Sequence, residues 1–173
     1  MGPYPGRVGR LIVVSGLPGT GKTTLARALA AELAAVYLRV DAVETPLITA
    51  GIDVGPLGYE IVRELARSNL VLGAAVVVDL VNPLPVTRRM WPDLAGELEV
   101  PLIVFECRID DPAEHRRRVE SRLPDLPGQN VPTWDEVVAR DYAPWDDGRD
   151  GPRVAIDMTD SGCGLARALA VLG

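Results

Sequence analysis

The chain has 173 residues, 47% of them hydrophobic, enough for one sizeable core in a single domain spanning 1–173. Its 18 Lys and Arg against 24 Asp and Glu give a net charge of −6, which argues against a nucleic-acid-binding surface, because that needs clustered positive charge to displace counterions from phosphates. Residues Met1 to Arg10 hold no apolar stretch of signal-peptide length, and the longest apolar run, Leu70 to Val78, falls far short of the ~20 residues that span a bilayer, so a cytoplasmic protein without a membrane anchor is expected.

In chain order, Leu11-Ile12-Val13-Val14 is a continuous, β-branched apolar run that suits a strand buried on both faces of a parallel sheet. From Lys22 the period changes, with Leu25, Ala28, Leu29 and Leu33 on one helical face, so residues 11–35 read as strand, glycine loop and helix. Further strands are predicted at 36–40, 75–80, 102–107 and 154–157. Helical patterns run through Ile61, Leu65 and Asn69, then Val86, Met90, Leu94 and Leu98, and then over 111–121, 133–142 and 161–172. Two helix starts are marked by their chemistry: Asp111-Pro112-Ala113-Glu114 offers an N-cap, an N1 proline and an N3 glutamate, and Thr133 with Glu136 forms a capping box. Between those helices, the proline-rich stretch 123–132 has no apolar period and is predicted to be a mobile loop. Strands alternating with helices imply a five-stranded parallel sheet covered on both faces, with ligands at the carboxyl ends of the strands. Cys107 and Cys163 form no C-x-x-C pair, and His115 is the sole histidine; both cysteines are expected to be small buried side chains, not disulfide or zinc ligands.

Gly16-Leu17-Pro18-Gly19-Thr20-Gly21-Lys22-Thr23 matches G-x-x-x-x-G-K-[ST] at every fixed position, between the predicted strand and helix that such a phosphate-binding loop requires. Glycines let successive N–H groups turn inward, and the helix N-terminus adds partial positive charge where phosphate oxygens would sit. The nucleotide-binding set is therefore Gly16, Pro18, Gly19, Thr20, Gly21, Lys22, Thr23 and Thr24, with Lys22 reaching the β and γ phosphates and the Thr23 hydroxyl on Mg²⁺. Asp41 follows the second strand on the same side of the sheet. A carboxylate there can take the proton of an acceptor hydroxyl, or it can simply cap a helix. Asp79 ends the run Val76-Val77-Val78 and is either a second Mg²⁺-holding acid or the cap of the following turn. Asn82 and Glu44 are each open between a substrate contact and a plain turn or surface role. In the run 115–122, Arg118 and Arg122 share a helical face and either close over the phosphates or form a solvated, salt-bridged surface; His115 is expected on the surface. Trp134, Tyr142 and Trp145 are open between pocket wall and core packing.

With these residues in view, the chain resembles the P-loop small-molecule kinases, the group containing gluconate kinase, shikimate kinase, adenylate kinase and chloramphenicol phosphotransferase. Val40-Asp41-Ala42-Val43-Glu44 is similar to the segment of chloramphenicol phosphotransferase that carries the base for the acceptor hydroxyl. Asp79 and Asn82, followed by Arg88 and Trp91, resemble the D-x-x-N and downstream arginine of zeta-toxin-like and AAA-type small kinases, and Arg118 and Arg122 resemble the group's R-x-x-x-R lid signature. The resemblance implies a three-layer α/β/α fold with strand order 2-3-1-4-5, ATP and Mg²⁺ as cofactors, and catalytic roles for Lys22, Asp41, Arg118 and Arg122. It also implies Thr23 and Asp79 at the metal, a lid-like segment over 116–132, and a small-molecule hydroxyl acceptor as partner of a monomer or homodimer. Sensor arginines and the separate helical domain of ring-forming AAA machines are missing from the pattern, which argues against a motor. Two rival readings are an ATP-binding regulatory protein without transfer and a polynucleotide 5′-hydroxyl kinase. The base aspartate disfavours the first and the acidic charge the second, and the lack of an N-K-x-D motif favours ATP over GTP.

Overall fold

The computed structural model describes residues 9–173; most of the Met1 to Arg10 segment lies outside the described residues. Five strands, β1 (Arg10–Ser15), β2 (Val36–Arg39), β3 (Ala75–Asp79), β4 (Leu102–Arg108) and β5 (Val154–Asp157), form one sheet in the order β2-β3-β1-β4-β5. Every pairing is parallel, as the alternation of strand and helix patterns demands. Strand β1 lies at the centre, and its alternation divides the core. Ile12 and Val14 face one layer with Leu25, Leu29 and Ala168, while Leu11 and Val13 face the other with Val62, Leu70, Trp91 and Leu94. The first layer is supplied by α1 (Lys22–Glu32) and α8 (Ser161–Leu172), the second by α3 (Leu57–Val71) and α4 (Pro85–Glu97). This is the expected three-layer architecture, and it explains why the strands read as unbroken apolar runs: both faces are covered.

The remaining helices are α2 (Val40–Thr49), α5 (Pro112–Glu120), α6 (Trp134–Val138) and α7 (Asp147–Asp150). Four differences from the sequence reading have physical causes. The second strand stops at Arg39, the last residue paired with β3, and Val40 already opens α2. That helix went unread because Pro46 interrupts it, and a proline inside a pattern argues against a helix. The helix predicted over 133–142 ends at Val138: past it the Arg140 N–H turns to the Val137 carbonyl and the Ala143 N–H donates to the distant Pro83 carbonyl instead of a helical one. The four-residue α7, capped where Asp146 accepts from the Arg149 N–H, is too short to show a period. Among the described residues no helix is long and apolar enough to cross a membrane.

Candidate nucleotide and acceptor site

The loop after β1 enters α1 through Gly21, whose φ of 83° is left-handed, and α1 has neither a side-chain cap nor an acid in its first turn. Helices α5, α6, α7 and α8 are capped by Asp111, Thr133, Asp146 and Asp160. The first N–H groups of α1 are therefore left for an external anion. Two glycines are required by contact as well as by conformation. A Cβ on Gly16 (φ 142°) would stand 2.5 Å from the Cys107 carbonyl oxygen, and one on Gly19 (φ 83°) would stand 2.5 Å from Val119 Cγ2. The loop apex is tied to α5 by His115, whose Nε2 donates to the Pro18 carbonyl at 2.8 Å while its ring meets Trp134 edge-on at 5.2 Å. His115 is thus buried, not on the surface as its helix pattern suggested, because α5 packs the face carrying His115 and Val119 on the loop. Cys163, in contrast, is exposed on α8, while Cys107 is buried as expected; burial pushes the Cys107 thiol up to about 12.

Lys22 is only 5% exposed, and burial lowers its pKa, opposed by the charges of Asp79 and Asp41. The parallel register sets these groups together: Asp79 lies opposite both Val14 of β1 and Arg39 of β2. Tyr37 donates to Asp79 Oδ2 at 2.7 Å, and burial, reinforced by Asp79, lifts the Tyr37 phenol above its ordinary value. The other oxygen, Asp79 Oδ1, is buried without a partner among the described residues. A free carboxylate oxygen beside a phosphate-binding loop, with the Thr23 hydroxyl lining the adjacent cavity, fits Mg²⁺, which takes one or two protein oxygens and completes its octahedron with water and phosphate. Among the described residues no group of three or more His, Cys, Asp or Glu assembles a metal cage.

Of the cavities beside the loop, two meet at Lys22. One, of about 340 Å³, is lined by Gly19, Gly21, Lys22, Thr23, Thr24, Arg27, Arg118, Arg122, Leu123 and Asp125. The other, of about 400 Å³, holds Pro18, Lys22, Asp41, Glu44, Tyr59, Arg122, Gln129 and Arg140 among its lining. Lys22 and Arg122 belong to both, so the two cavities meet at the P-loop lysine. Asp41 sits in the first turn of α2, where the helix dipole favours a negative charge. Its Oδ2 accepts from Arg39 Nη2 at 3.0 Å and from Gln129 Nε2 at 3.1 Å.

The lid arginines part company. Arg118 is anchored on Glu114 at 2.6 Å and on the carbonyls of Met158 and Thr159 at 2.8 and 2.7 Å; it walls the first cavity from a fixed position. Arg122, beyond the end of α5, has among the described residues only a 3.8 Å approach to Asp125, which leaves most of its donors unengaged there. Arg116 and Arg117 pair with Glu120 and Glu114 on the exposed face. Arg88 lies outside both cavities: its guanidinium pairs with Asp150 at 2.8 Å, donates to the Asn82 and Ala143 carbonyls, and lies 4.5 Å from the Trp145 ring centroid. Tyr142 donates to Glu106 at 3.0 Å and Trp145 to the Gly151 carbonyl at 2.9 Å, so these two aromatics fasten the 142–151 segment.

Sequence reasoning left Glu44 undecided and passed over Arg39, Asp125, Gln129 and Arg140. Glu44 lies one helical turn from Asp41 in the same cavity, and burial, with the Asp41 charge beside it, pushes its carboxyl up to about 7. Its side chain occupies space that Gly58 leaves open, since a Cβ there would lie 2.3 Å from Glu44 Cγ. An i,i+3 acid pair on an unread helix gave the only available signal.

Residues 11–134 match the family described as AAA domain. The fold is similar to that of a sugar kinase from Janibacter sp. HTCC2649, at a TM-score of 0.70 and 18% identity over 94% of each chain. It is also similar to a candidate kinase from Chloroflexus aurantiacus j-10-fl, at 0.74 and 23% identity over 96% of this chain and 98% of that one. Chaetomium thermophilum Kti12 in complex with ADP-AlF3 matches at 0.69 and 20% identity, over 94% of this chain and 96% of that one. At these identities the likeness is one of fold, the α/β fold of P-loop kinases. A stretch of 56 residues is 48% identical to the 26S proteasome regulatory subunit 4 homolog of Encephalitozoon cuniculi, covering 32% of this chain and 12% of that protein.

Proposed function

The chain belongs to the AAA domain family, and we propose that it is an ATP-dependent phosphotransferase moving the γ-phosphoryl of ATP to a hydroxyl of a small molecule. The observation that carries this reading is the junction of the two cavities at Lys22 and Arg122, with Asp41 lining the second of them. A protein that only held nucleotide would have no need of a second polar cavity opening on the same lysine. The Janibacter sugar kinase and the Kti12 complex with ADP-AlF3 support the reading by fold.

In this reading ATP lies along the loop in the first cavity, its phosphates on the α1 N-terminus, Lys22 and Arg122, beside the wall formed by Arg118. The acceptor lies in the second cavity with its hydroxyl against Asp41. The acceptor oxygen bonds to the γ-phosphorus as the bond from the γ-phosphorus to the β,γ-bridging oxygen breaks; the acceptor proton passes to Asp41, and the electron pair stays on the bridging oxygen, which leaves as part of ADP. Lys22 and Arg122, fixed at the junction, stabilise the charge that spreads over the transferring group. Thr23 and Asp79 would hold Mg²⁺, which neutralises phosphate charge when bound. The fused segment 116–132 serves as the lid of a single kinase domain.

The experiment is incubation with ATP and Mg²⁺ against sugars, nucleosides, amino alcohols and hydroxylated antibiotics, with product read by mass. One member is expected to gain a phosphoryl group, and Asp41→Asn is expected to lower turnover by ~10²–10⁴-fold while leaving the Kd for ATP unchanged. Tight ATP binding with no acceptor modified across the whole panel would count against transfer.

A further inference from the structure

Among the described residues, Arg39 is the cation that pairs with Asp41, Asp79 and Asp125 around the junction. It is the last residue of β2 and is 4% exposed. Its Nη1 donates to Asp125 Oδ2 at 2.7 Å and its Nη2 to Asp125 Oδ1 at 3.1 Å, a two-pronged pair. The same Nη2 donates to Asp41 Oδ2 at 3.0 Å, and Nε lies 3.7 Å from Asp79 Oδ2. Burial alone would lower the guanidinium, but the hydrogen bonds it donates to Asp125 and Asp41 outweigh it and hold it above its ordinary value.

Asp125 belongs to the segment between α5 and α6. There, Gln129 Oε1 accepts from the Asp125 N–H at 3.3 Å, and Gln129 Nε2 donates to Asp41 Oδ2 at 3.1 Å. Arg39, Asp125, Gln129 and Asp41 thus close a ring of hydrogen bonds that passes from the sheet to the lid segment and back. Both donors to Asp41 fall on Oδ2, and Oδ1 has no hydrogen-bond partner among the described residues. A carboxylate fixed by one oxygen through two donors of different origin keeps its second oxygen for a proton.

We infer that Arg39 is a positioning residue: it clamps the 123–132 segment through Asp125 and, by the same guanidinium, orients the base Asp41 beside the phosphate loop. The inference rests on the phosphotransferase reading for the role of Asp41, but the clamp itself does not. The clamp needs the planar fork of arginine, because two parallel bonds to Asp125 and one to Asp41 leave from a single rigid plane that a lysine ammonium cannot reproduce.

The test uses Arg39→Lys, which keeps the charge, and Asp125→Asn, which changes the partly exposed partner. In hydrogen exchange on the whole protein, both substitutions are expected to raise exchange in the 123–132 segment at least 5-fold, with β1 and β3 unchanged. Where an acceptor is turned over, Arg39→Lys is expected to lower kcat at least 10-fold with the KM for ATP within 2-fold. In the Asp41→Asn background the same change is expected to cost less than 2-fold, since a residue acting through Asp41 has nothing left to orient. Unchanged exchange in 123–132 overturns the clamp, whether or not an acceptor has been found. Full additivity of Arg39→Lys and Asp41→Asn overturns the positioning role, while absence of transfer to any acceptor overturns the phosphotransferase reading and leaves the exchange result to decide the clamp.

Discussion

Replacing Glu44 by Gln tests whether the second cavity is as acid-crowded as its geometry shows. The carboxyl rises from 4.5 to about 7 because it is buried beside Asp41. At ~1.4 kcal/mol for each pH unit, the two-and-a-half-unit difference would amount to ~3.4 kcal/mol of penalty on the ionised folded form. Glu44 is only partly buried, and solvent screening reduces this to roughly 1 kcal/mol. The direction follows from linkage. An acid whose pKa is raised by folding binds its proton more tightly in the folded state, so the wild type loses stability as pH climbs from about 4.5 to about 7. Below that window both states are protonated and the penalty is absent; above it the penalty is complete. Glutamine cannot ionise, so the advantage of Glu44→Gln over wild type is expected to grow by ~1 kcal/mol between pH 5 and pH 8 in urea unfolding, or by ~2–4 °C in Tm. An advantage that is constant, or that shrinks as pH rises, would refute the argument and mean that Arg140 or another cation neutralises Glu44 in solution.

Two further substitutions probe different parts of the molecule. Arg88→Met removes the buried one of the two arginines that pair with Asp150, the Arg88 and Asp150 side chains both being 0% exposed, and leaves Asp150 with Arg149 and the Asp146 N–H; it is expected to cost ~1–3 kcal/mol in urea unfolding, and a loss below ~0.5 kcal/mol would show the pair to be dispensable. Asp79→Asn keeps the shape of the strand end but removes the charge behind the free Oδ1. It is expected to raise the Mg²⁺ concentration for half-maximal turnover at least ~10-fold, and an unchanged Mg²⁺ dependence would place the metal elsewhere.

The parts of the fold that were legible in the sequence are those dictated locally. An apolar strand, a glycine loop and an amphipathic helix each carry their own pattern, so β1, the phosphate loop and α1 fall where the periodicity places them. The cap at Asp111 and the box at Thr133 with Glu136 were equally local and are present. The elements that escaped notice depend on distant partners. Helix α2 contains Pro46, which masks its period, and packs its acids into a cavity shared with the 128–130 region; nothing within ten residues announces that cavity. The Arg39–Asp125 pair joins positions 86 apart, and a lone arginine at a strand end is indistinguishable from a solvated one until Asp125 of the 123–132 segment is seen to lie on it. His115 illustrates the converse. Its helix pattern is that of a charged surface, and only the contact with Pro18 shows that this face meets the loop.

The same distinction bears on how the site would work. Lys22 is a buried cation whose charge is opposed by desolvation and supported by Asp79 and Asp41, so it is held ready for an anion that the chain itself does not supply. Arg122 is similarly short of partners, whereas Arg118 is fully engaged with Glu114 and two carbonyls. Phosphate arriving between Lys22 and Arg122 would therefore complete a charge balance already arranged around it, with no protein pair to be broken at Lys22 and only the long contact with Asp125 to be given up at Arg122. Because removing Arg118 would free two carbonyls and leave Glu114 to Arg117 alone without removing a ready phosphate donor, Arg118 and Arg122 are expected to divide their labour: Arg118 for the shape of the nucleotide cavity, Arg122 for the charge at its junction with the second cavity.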